Sequence, residues 1–181
     1  MTMARSIIGR PQTEDMTPFA KGYIEQVEGE NLLEALNATL LETLRLYQGM
    51  DETIGNYRYA AGKWTLKEVL LHIIDTERIF SYRALTMARN DKSPLPGFEQ
   101  DDYVPASKAE SRTLKSLVEE YEVVRKGSII LLENMDDEML DRKGTANNQP
   151  MTARIIGWMM AGHDLHHNKV VRTRYMTALT N

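Results

Sequence analysis

Gly162-His163-Asp164-Leu165-His166-His167, close to the C-terminus, holds three of the four histidines in the chain. An α-helix turns once every 3.6 residues or so, which places His163 and His167 on one face with their Cβ atoms about 5–6 Å apart. The fourth histidine, His72, lies in the apolar helical pattern Leu70-Leu71-His72-Ile73-Ile74. We interpret His72, His163 and His167 as the ligands of one divalent metal ion, with a coordination position left open as in catalytic zinc sites.

The helix that carries the histidine pair is predicted to bury it. His163 and His167 lie near the middle of an apolar stripe, and buried imidazoles are costly unless they have partners, which a metal ion would supply. The other members of the stripe are Ile155, Ile156, Met159 and Val170. His166 falls to one side, and we do not expect it to be a ligand. The alternative is a set of hydrogen-bonded core histidines, because His-x-x-x-His also occurs on ordinary helices.

The composition excludes several classes of protein. With 181 residues, of which 42% are hydrophobic, the chain can form one domain with a sizeable core. The net charge of −4 argues against nucleic acid or an anionic membrane as the main partner. Cysteine is absent, so disulfides, cysteine nucleophiles and thiolate ligands are excluded. No signal-peptide core and no run of about 18 apolar residues occurs, so we expect a soluble, cytoplasmic protein.

Four amphipathic segments predict an all-α fold, a four-helix bundle. We expect residues 1–16 to form an N-terminal arm and residues 17–181 to form the bundle domain. The predicted helices run from Glu30 to Tyr47, from a capping box at Thr65 and Glu68 to about Arg89, from a second capping box at Ser107 and Glu110 to about Asn134, and from Met151 or Thr152 to about Tyr175. A short turn near residues 20–26 precedes the first helix, and no strand pattern of useful length appears.

The connections and the metal site together constrain the topology. The loops at residues 49–64 and 90–106 are longer than bundle connections usually are, and the second can return along a helix of about 25 residues as a parallel crossover. His72 lies near the start of the second helix, whereas His163 and His167 lie in the later half of the fourth. The three imidazoles therefore reach one height only if the second and fourth helices are antiparallel neighbours.

Two carboxylates near the histidines are candidates for a supporting role. Glu77 lies in the middle of the apolar stripe of the second helix, where an ionised carboxylate needs a partner. We favour a buried contact with an arginine or a tyrosine, and the alternative is a catalytic base or a group that orients the metal ligands. Asp164 has the same alternative role, although we favour a solvated position on its helix.

Several segments of the chain resemble one family. Lys63-Trp64-Thr65-Leu66-Lys67-Glu68, running into His72-Ile73-Ile74-Asp75-Thr76-Glu77-Arg78, resembles the second helix of DinB-like proteins. The stretch 162–167, followed by Arg174-Tyr175, resembles their fourth helix, and Pro96-Gly97-Phe98 with Asp102-Tyr103-Val104 resembles their crossover loop. The resemblance covers most of the chain from Tyr23 onward, so that residues 17–181 are similar to a DinB-like domain.

The resemblance implies an up-down-down-up bundle in which the second and fourth helices are antiparallel. It also implies a metal site carried by His72, His163 and His167, with zinc or nickel as the usual ion, and homodimers in many relatives. Characterised branches of the family include thiol transferases that use bacillithiol or mycothiol, and a mycothiol-dependent maleylpyruvate isomerase.

These observations favour a metal-dependent transferase or hydrolase that acts on a small electrophilic substrate. The metal would acidify a bound water or thiol, and the thiol, for example bacillithiol, would have to be a cofactor because the chain has no cysteine. The alternative is a non-enzymatic, metal-stabilised bundle that dimerises or binds a stress-related partner. A third interpretation is a protease-like site, since His163-Asp164-Leu165-His166-His167 is similar to His-Glu-x-x-His. The shorter aspartate reaches water less easily, and no third ligand follows downstream.

Overall fold

Helices form most of the structure, a computed structural model that describes residues 7–179. In chain order they are α1 (Pro18–Ile24), α2 (Leu32–Gln48), α3 (Leu66–Ala88), α4 (Gln100–Ala106), α5 (Leu114–Glu133), α6 (Asp137–Asp141), α7 (Ala153–Val170) and α8 (Thr177–Leu179), with a π-helical segment at Val171–Met176. Short 3₁₀ turns lie at Thr13–Asp15, Glu52–Ile54 and Ala109–Ser111. The long helices α2, α3, α5 and α7 correspond to the four predicted segments. Residues 1–6 of the predicted N-terminal arm lie outside the described residues.

Helices α3 and α7 are antiparallel neighbours. The Tyr175 hydroxyl, beyond the end of α7, donates a hydrogen bond of 2.6 Å to the Trp64 carbonyl, just before the start of α3. Farther along α3, His72 meets His163 of α7, with 3.2 Å between their Nε2 atoms. The predicted antiparallel arrangement of the second and fourth helices is therefore confirmed.

Helix α5 runs parallel to α3. Arg78 pairs with Glu120 at 2.6 Å, and farther along both helices the hydroxyl oxygens of Ser81 and Ser128 lie 2.8 Å apart. The chain between the two helices therefore returns along the length of α3 as a crossover connection, which contains α4.

Helix α2 runs parallel to α7 and completes the bundle. At one end a methyl group added to Gly157 would lie only 2.6 Å from Leu32 Cδ2, and toward the other end the Asn168 amide donates a hydrogen bond of 2.8 Å to Thr43. Because α2 and α7 point one way and α3 and α5 the other, the topology is up-down-down-up, as predicted.

The predicted start of the third long helix was wrong. Ser107 is not the N-cap of a helix but follows the end of α4, and Lys108 has a left-handed backbone with φ of 52°. Helix α5 begins instead at Leu114, where the Thr113 side chain accepts a hydrogen bond from the Ser116 amide. The pattern at Ser107 and Glu110 has the spacing of a capping box, but the left-handed residue after Ser107 cannot be the first residue of a helix.

A short hairpin corrects the expectation of a structure without strands. Strands β1 (Gly144–Ala146) and β2 (Gln149–Met151) pair in antiparallel register around a turn in which Asn147 and Asn148 have positive φ. This is the backbone shape of a tight hairpin turn, which asparagine tolerates better than most residues. Leu95 in the crossover forms a parallel bridge with Ala146 of the hairpin. Strands of three residues are too short to show an alternating pattern in the sequence.

A buried polar layer crosses the middle of the bundle. It separates one apolar cluster, around Leu36, Phe80 and Ile156, from a second one, around Leu70 and Tyr121. The polar layer consists of Thr39, Thr43, His72, Glu77, Arg125, His163, Asp164 and Asn168, each at most 7% exposed. All four long helices contribute to it, so the layer places the histidines at the centre of the molecule. Between residues 7 and 179, no helix combines the length and the apolarity that a bilayer crossing requires.

Candidate metal centre

The three predicted ligands come together at the polar layer. The Nε2 atom of His163 lies 3.2 Å from Nε2 of His72 and 3.1 Å from Nε2 of His167. One ring nitrogen from each of the three histidines lies within 4.8 Å of the others. Helix α7 supplies two imidazoles one turn apart, and the third comes from α3, the helix that faces α7.

This geometry fits a metal ion better than a set of hydrogen bonds. A ring nitrogen carries either one hydrogen or one lone pair in the plane of the ring, so Nε2 of His163 can make a good hydrogen bond to only one of its two neighbours. Zinc–nitrogen bonds of about 2.0–2.1 Å in tetrahedral geometry place the ligand nitrogens roughly 3.3 Å apart. The two observed distances are close to that value, and imidazole donors suit both zinc and nickel.

Burial keeps the three imidazoles neutral. Loss of hydration lowers the pKa of His72 from 6.5 to about 4, and repulsion by His166 acts in the same direction. Burial also lowers the pKa of His163 and the pKa of His167 well below 6.5, and the neighbouring histidines lower both further. Neutral imidazole is the form that binds metals, so at pH 7 the three side chains can accept an ion without first releasing protons.

Aromatic side chains surround the histidines. The ring centroid of Trp64 lies 4.9 Å from that of His72, and the ring of Tyr23 lies 5.6 Å from that of His163. Helix α1, which carries Tyr23, approaches α7 closely because residue 162 is a glycine. A Cβ atom on Gly162 would overlap the backbone carbonyl of Tyr23. The glycine that precedes His163 thus allows α1 to cover one side of the site.

The cluster borders two clefts that a small molecule can enter. The main cleft, of about 660 Å³, is lined by His72 and His163 and is enclosed by α1, α3, α7, the crossover and the hairpin. The side cleft, of about 460 Å³, is lined by His167 and Trp64. Gln100 at the start of α4 lines both clefts. Volumes of several hundred Å³ are typical of sites for small molecules.

His166 lies outside the cluster, as expected. Its side chain is exposed, and its ring makes edge-on contacts with Tyr23 and His167, at centroid distances of 5.8 and 5.0 Å. It belongs to the wall of the side cleft rather than to the group of converging nitrogens.

The two carboxylates proposed for a supporting role bind an arginine. Glu77 pairs with Arg125 at 3.0 Å, and Asp164 pairs with it at 2.7 Å and also accepts a hydrogen bond from the Tyr121 hydroxyl. The expected buried contact of Glu77 with an arginine is confirmed. The expected solvated position of Asp164 is wrong, because its side chain is 0% exposed. Burial raises the pKa of Asp164 to about 6, although the charge of Arg125 opposes the rise.

Sequence reasoning missed two arginines of this region. Arg125 follows Tyr121 by four residues on the buried face of α5, and Arg83 follows Phe80 by three on the buried face of α3. The signal was available in both helices, because a charged residue at the spacing of an apolar stripe marks a buried charge that needs a partner.

Solved structures with the same fold support the description of the bundle. YfiT from Bacillus subtilis, described as a probable metal-dependent hydrolase with an unusual four-helix bundle topology, is 15% identical with a TM-score of 0.67, over 96% of this chain and 97% of YfiT. A mycothiol-dependent maleylpyruvate isomerase is 13% identical with a TM-score of 0.65, over 85% of this chain, which spans 62% of the isomerase. At these identities the likeness shows the fold alone. No curated protein sequence matches the chain.

The sequence itself matches a family model. The model of the DinB superfamily covers residues 32–171, from the first residue of α2 to the residue after the end of α7. This span contains all four long helices and the three converging histidines. The chain therefore belongs to the DinB superfamily.

Proposed function

We propose that this protein is a divalent-metal-dependent enzyme that acts on a small electrophilic substrate, with His72, His163 and His167 as the metal ligands. The observation that carries the proposal is the meeting of three neutral ring nitrogens at the wall of a cleft of about 660 Å³. A set of three histidine ligands leaves room for one more ligand, which is the pattern of catalytic rather than structural sites.

The ion and the chain would have separate tasks. A zinc or nickel ion held by these three neutral ligands would keep its full positive charge and would lower the pKa of a bound water or thiol. The chain holds the imidazoles in the neutral form and screens them from bulk water with Trp64 and Tyr23. We assign Glu77 and Asp164 a positioning role, because through Arg125 they join α3, α5 and α7 beside the ligands.

Two reactions fit such a site: transfer of a thiol to an electrophilic carbon, and hydrolysis. The sulfur would come from a low-molecular-weight thiol such as bacillithiol, since the chain contains no cysteine. The descriptions of two structural neighbours, a probable metal-dependent hydrolase and a mycothiol-dependent isomerase, support these two reaction classes as the ones to test first.

The decisive experiment measures metal and turnover on the same preparation. The purified protein is supplied with zinc or nickel, its metal content is determined by mass spectrometry, and turnover is assayed with bacillithiol plus an aryl halide and with an activated ester. We expect about one ion per chain and activity in at least one assay. His72→Ala should lose both while keeping its helical content by circular dichroism.

Two results would contradict the proposal. A protein that takes up neither metal refutes the metal site. A protein that binds metal and turns over no substrate in either assay refutes the enzymatic part and favours a metal-stabilised binding module.

A further inference from the structure

Arg83 differs from the other buried cations between residues 7 and 179. Lys67, Arg125 and Arg154 are at most 8% exposed, and each forms an ion pair with at least one carboxylate. Arg83 is 9% exposed and forms no ion pair with a carboxylate of the described residues. An unpaired charge is costly to bury. The Arg83 guanidinium would therefore be stabilised by an anionic ligand that acts as its counter-ion.

The guanidinium of Arg83 is held in place inside the main cleft. Its carbon lies 6.0 Å from the ring centroid of Phe80 and 5.9 Å from that of Phe98, and one of its nitrogens donates a hydrogen bond of 2.8 Å to the Pro96 carbonyl. The rings attract the cation but offer no acceptor oxygen. Arginine has five N–H donors in a planar fork, so donors remain for an anion, and a carboxylate matches their geometry.

Thr76 is a second unmatched polar group in the same wall. Its side chain is 3% exposed, and its hydroxyl makes no hydrogen bond to the described residues. Together with His72, Phe80 and Arg83 it lines the main cleft, and the spacing of three to four residues places all four on one face of α3. Along this face the cleft offers a metal-binding nitrogen, a hydroxyl, an aromatic ring and a guanidinium.

The dimensions and charges of the cleft restrict what fits. At about 1.5 Å per residue, roughly 16 Å of helix axis separates His72 from Arg83. A ligand that reaches both ends is therefore elongated. Exposed Glu99 and Asp101 also border the cleft and disfavour a second negative charge on the ligand.

We propose that the main cleft binds an elongated monocarboxylic acid, whose carboxylate pairs with Arg83, whose middle contacts Thr76 and Phe80, and whose other end reaches the histidine cluster. This inference rests on the proposed function and names the chemical class of its small molecule. Arg83 acts here as a binding residue at the end of the cleft opposite the metal ligands.

A series of bifunctional probes tests the proposal. ω-Mercaptoalkanoic acids carry a sulfur for the metal end and a carboxylate for Arg83, and the matching ω-mercaptoalkanamides lack the charge. Dissociation constants are measured by calorimetry, with zinc-loaded and with metal-free protein, for chains of three to eleven carbons. We expect acids to bind more tightly than amides by about ten- to hundredfold, the range for a hydrogen-bonded charge, and the affinity to pass through a maximum at an intermediate chain length.

Matched variants separate binding from a structural role of Arg83. Arg83→Gln should remove the preference for acids and leave the affinity for amides nearly unchanged, and Arg83→Lys should restore part of the preference. Arg89→Gln, at an exposed position after the end of the same helix, should change neither affinity. If Arg83 served only to tie the crossover to α3 through Pro96, Arg83→Gln would weaken acids and amides alike.

The outcomes distinguish this inference from the proposed function. Equal binding of acids and amides by the unaltered protein, absence of binding by every acid, or equal losses in Arg83→Gln overturn the inference even if the protein binds zinc and is active. A preference for acids that persists in a protein unable to bind zinc supports the inference and refutes the proposed function. The acid–amide comparison and the chain-length maximum need no variant, so they decide the matter even if Arg83→Gln fails to fold.

Discussion

The imidazole of His163 is the centre of the cluster, because it alone makes the two short nitrogen contacts. We therefore expect His163→Ala to lose bound zinc or nickel completely. His166→Ala removes an imidazole three residues later on the same helix, but from the exposed side of the cluster, and should keep about one ion per chain. Metal content of both variants by mass spectrometry checks this, and equal loss in the two would contradict the assignment of the ligands.

Arg125 neutralises two buried carboxylates, Glu77 and Asp164, which are 2% and 0% exposed. Arg125→Met should lower the free energy of unfolding by about 3–5 kcal/mol, since it leaves buried charge without a partner. Lys126→Met removes a neighbouring cation from an exposed ion pair with Glu122 and should cost no more than about 0.5 kcal/mol. Urea unfolding of both variants at pH 7.5 measures the difference.

The pH dependence of the same variant gives a sharper signature. The pKa of Asp164 is already raised to about 6, and removal of Arg125 takes away the charge that opposes this rise. The folded variant therefore takes up protons at higher pH than the folded wild type, so its deficit in stability should shrink as the pH falls from 7.5 toward 5. A deficit that stays constant over this range would show that the loss comes from packing and not from charge.

Asp164 shows where prediction of single residues fails. The apolar stripe on one face of α7 predicts that the neighbouring His163 is buried, and the position of Asp164 off that stripe predicts that Asp164 is solvated. In the structure residues 153–164 are all buried, because α1, α2 and α3 pack around the first two thirds of α7. A projection of one helix reveals the most apolar face but not how many neighbours the helix has, so a polar residue on a second buried face cannot be recognised from that helix alone.

Close packing of α1 on α7 depends on the absence of a side chain at residue 162. Gly162→Ala would place a methyl group on the backbone carbonyl of Tyr23, so we expect a loss of about 1–3 kcal/mol in the free energy of unfolding. Gly127→Ala is the matched control in α5, where an added Cβ meets no atom within 4 Å. It should instead stabilise the protein by about 0.5–1 kcal/mol, the difference in helix propensity. Opposite signs in urea unfolding confirm the assignment, and a neutral Gly162→Ala would contradict the close contact.

The helices could be predicted wherever the local signals agreed. At Thr65 and Glu68 both bonds of the predicted capping box are present, the Thr65 amide donating to Glu68 and the Glu68 amide to Thr65. The equally spaced pair Ser107 and Glu110 forms neither of these two hydrogen bonds, and α5 starts after Thr113. The two candidates lie six residues apart, both ahead of the same apolar stripe, and the decision between them depends on how the crossover packs, which the local sequence does not contain.

The metal-free molecule should lose stability in acid. Burial lowers the pKa of His72 to about 4 and the pKa of His163 and of His167 well below 6.5, so the unfolded chain binds protons first as the pH falls. Stability rises with pH wherever the unfolded state binds more protons, here by up to about 1.4 kcal/mol per pH unit for each histidine. The raised pKa of Asp164 has the opposite effect on stability between about pH 6 and pH 3.8. Its effect is smaller, because it is a single group and the histidines are three.

Urea unfolding at pH 7.5 and pH 5, with a chelator present, measures this dependence. His72→Gln should reduce the change in the free energy of unfolding per pH unit by the contribution of one histidine. Stability that is flat or that increases toward pH 5 would contradict the neutral, buried state of the cluster.

The order of the whole bundle was implied by the resemblance to DinB-like proteins, and the residues alone accounted for part of it. Four amphipathic periods predicted four helices, and the predicted metal site required the second and fourth to be antiparallel. The hairpin at residues 144–151 and the path of α1 over the site were not predictable, since both are short and owe their positions to contacts with distant residues, Leu95 for the hairpin and Gly162 for α1.

The pairing of α3 with α7 joins two parts of the chain that are far apart in sequence. His163 and His167 are neighbours as soon as one turn of helix exists, whereas His72 is 91 residues from His163 along the chain. Closing a loop of that length costs roughly 4 kcal/mol of chain entropy on a logarithmic scale. If the three histidines bind an ion as proposed, the nascent chain would hold it by two ligands before the third is in place. Tight binding of such an ion would then begin only when α3, in the first half of the protein, packs on α7.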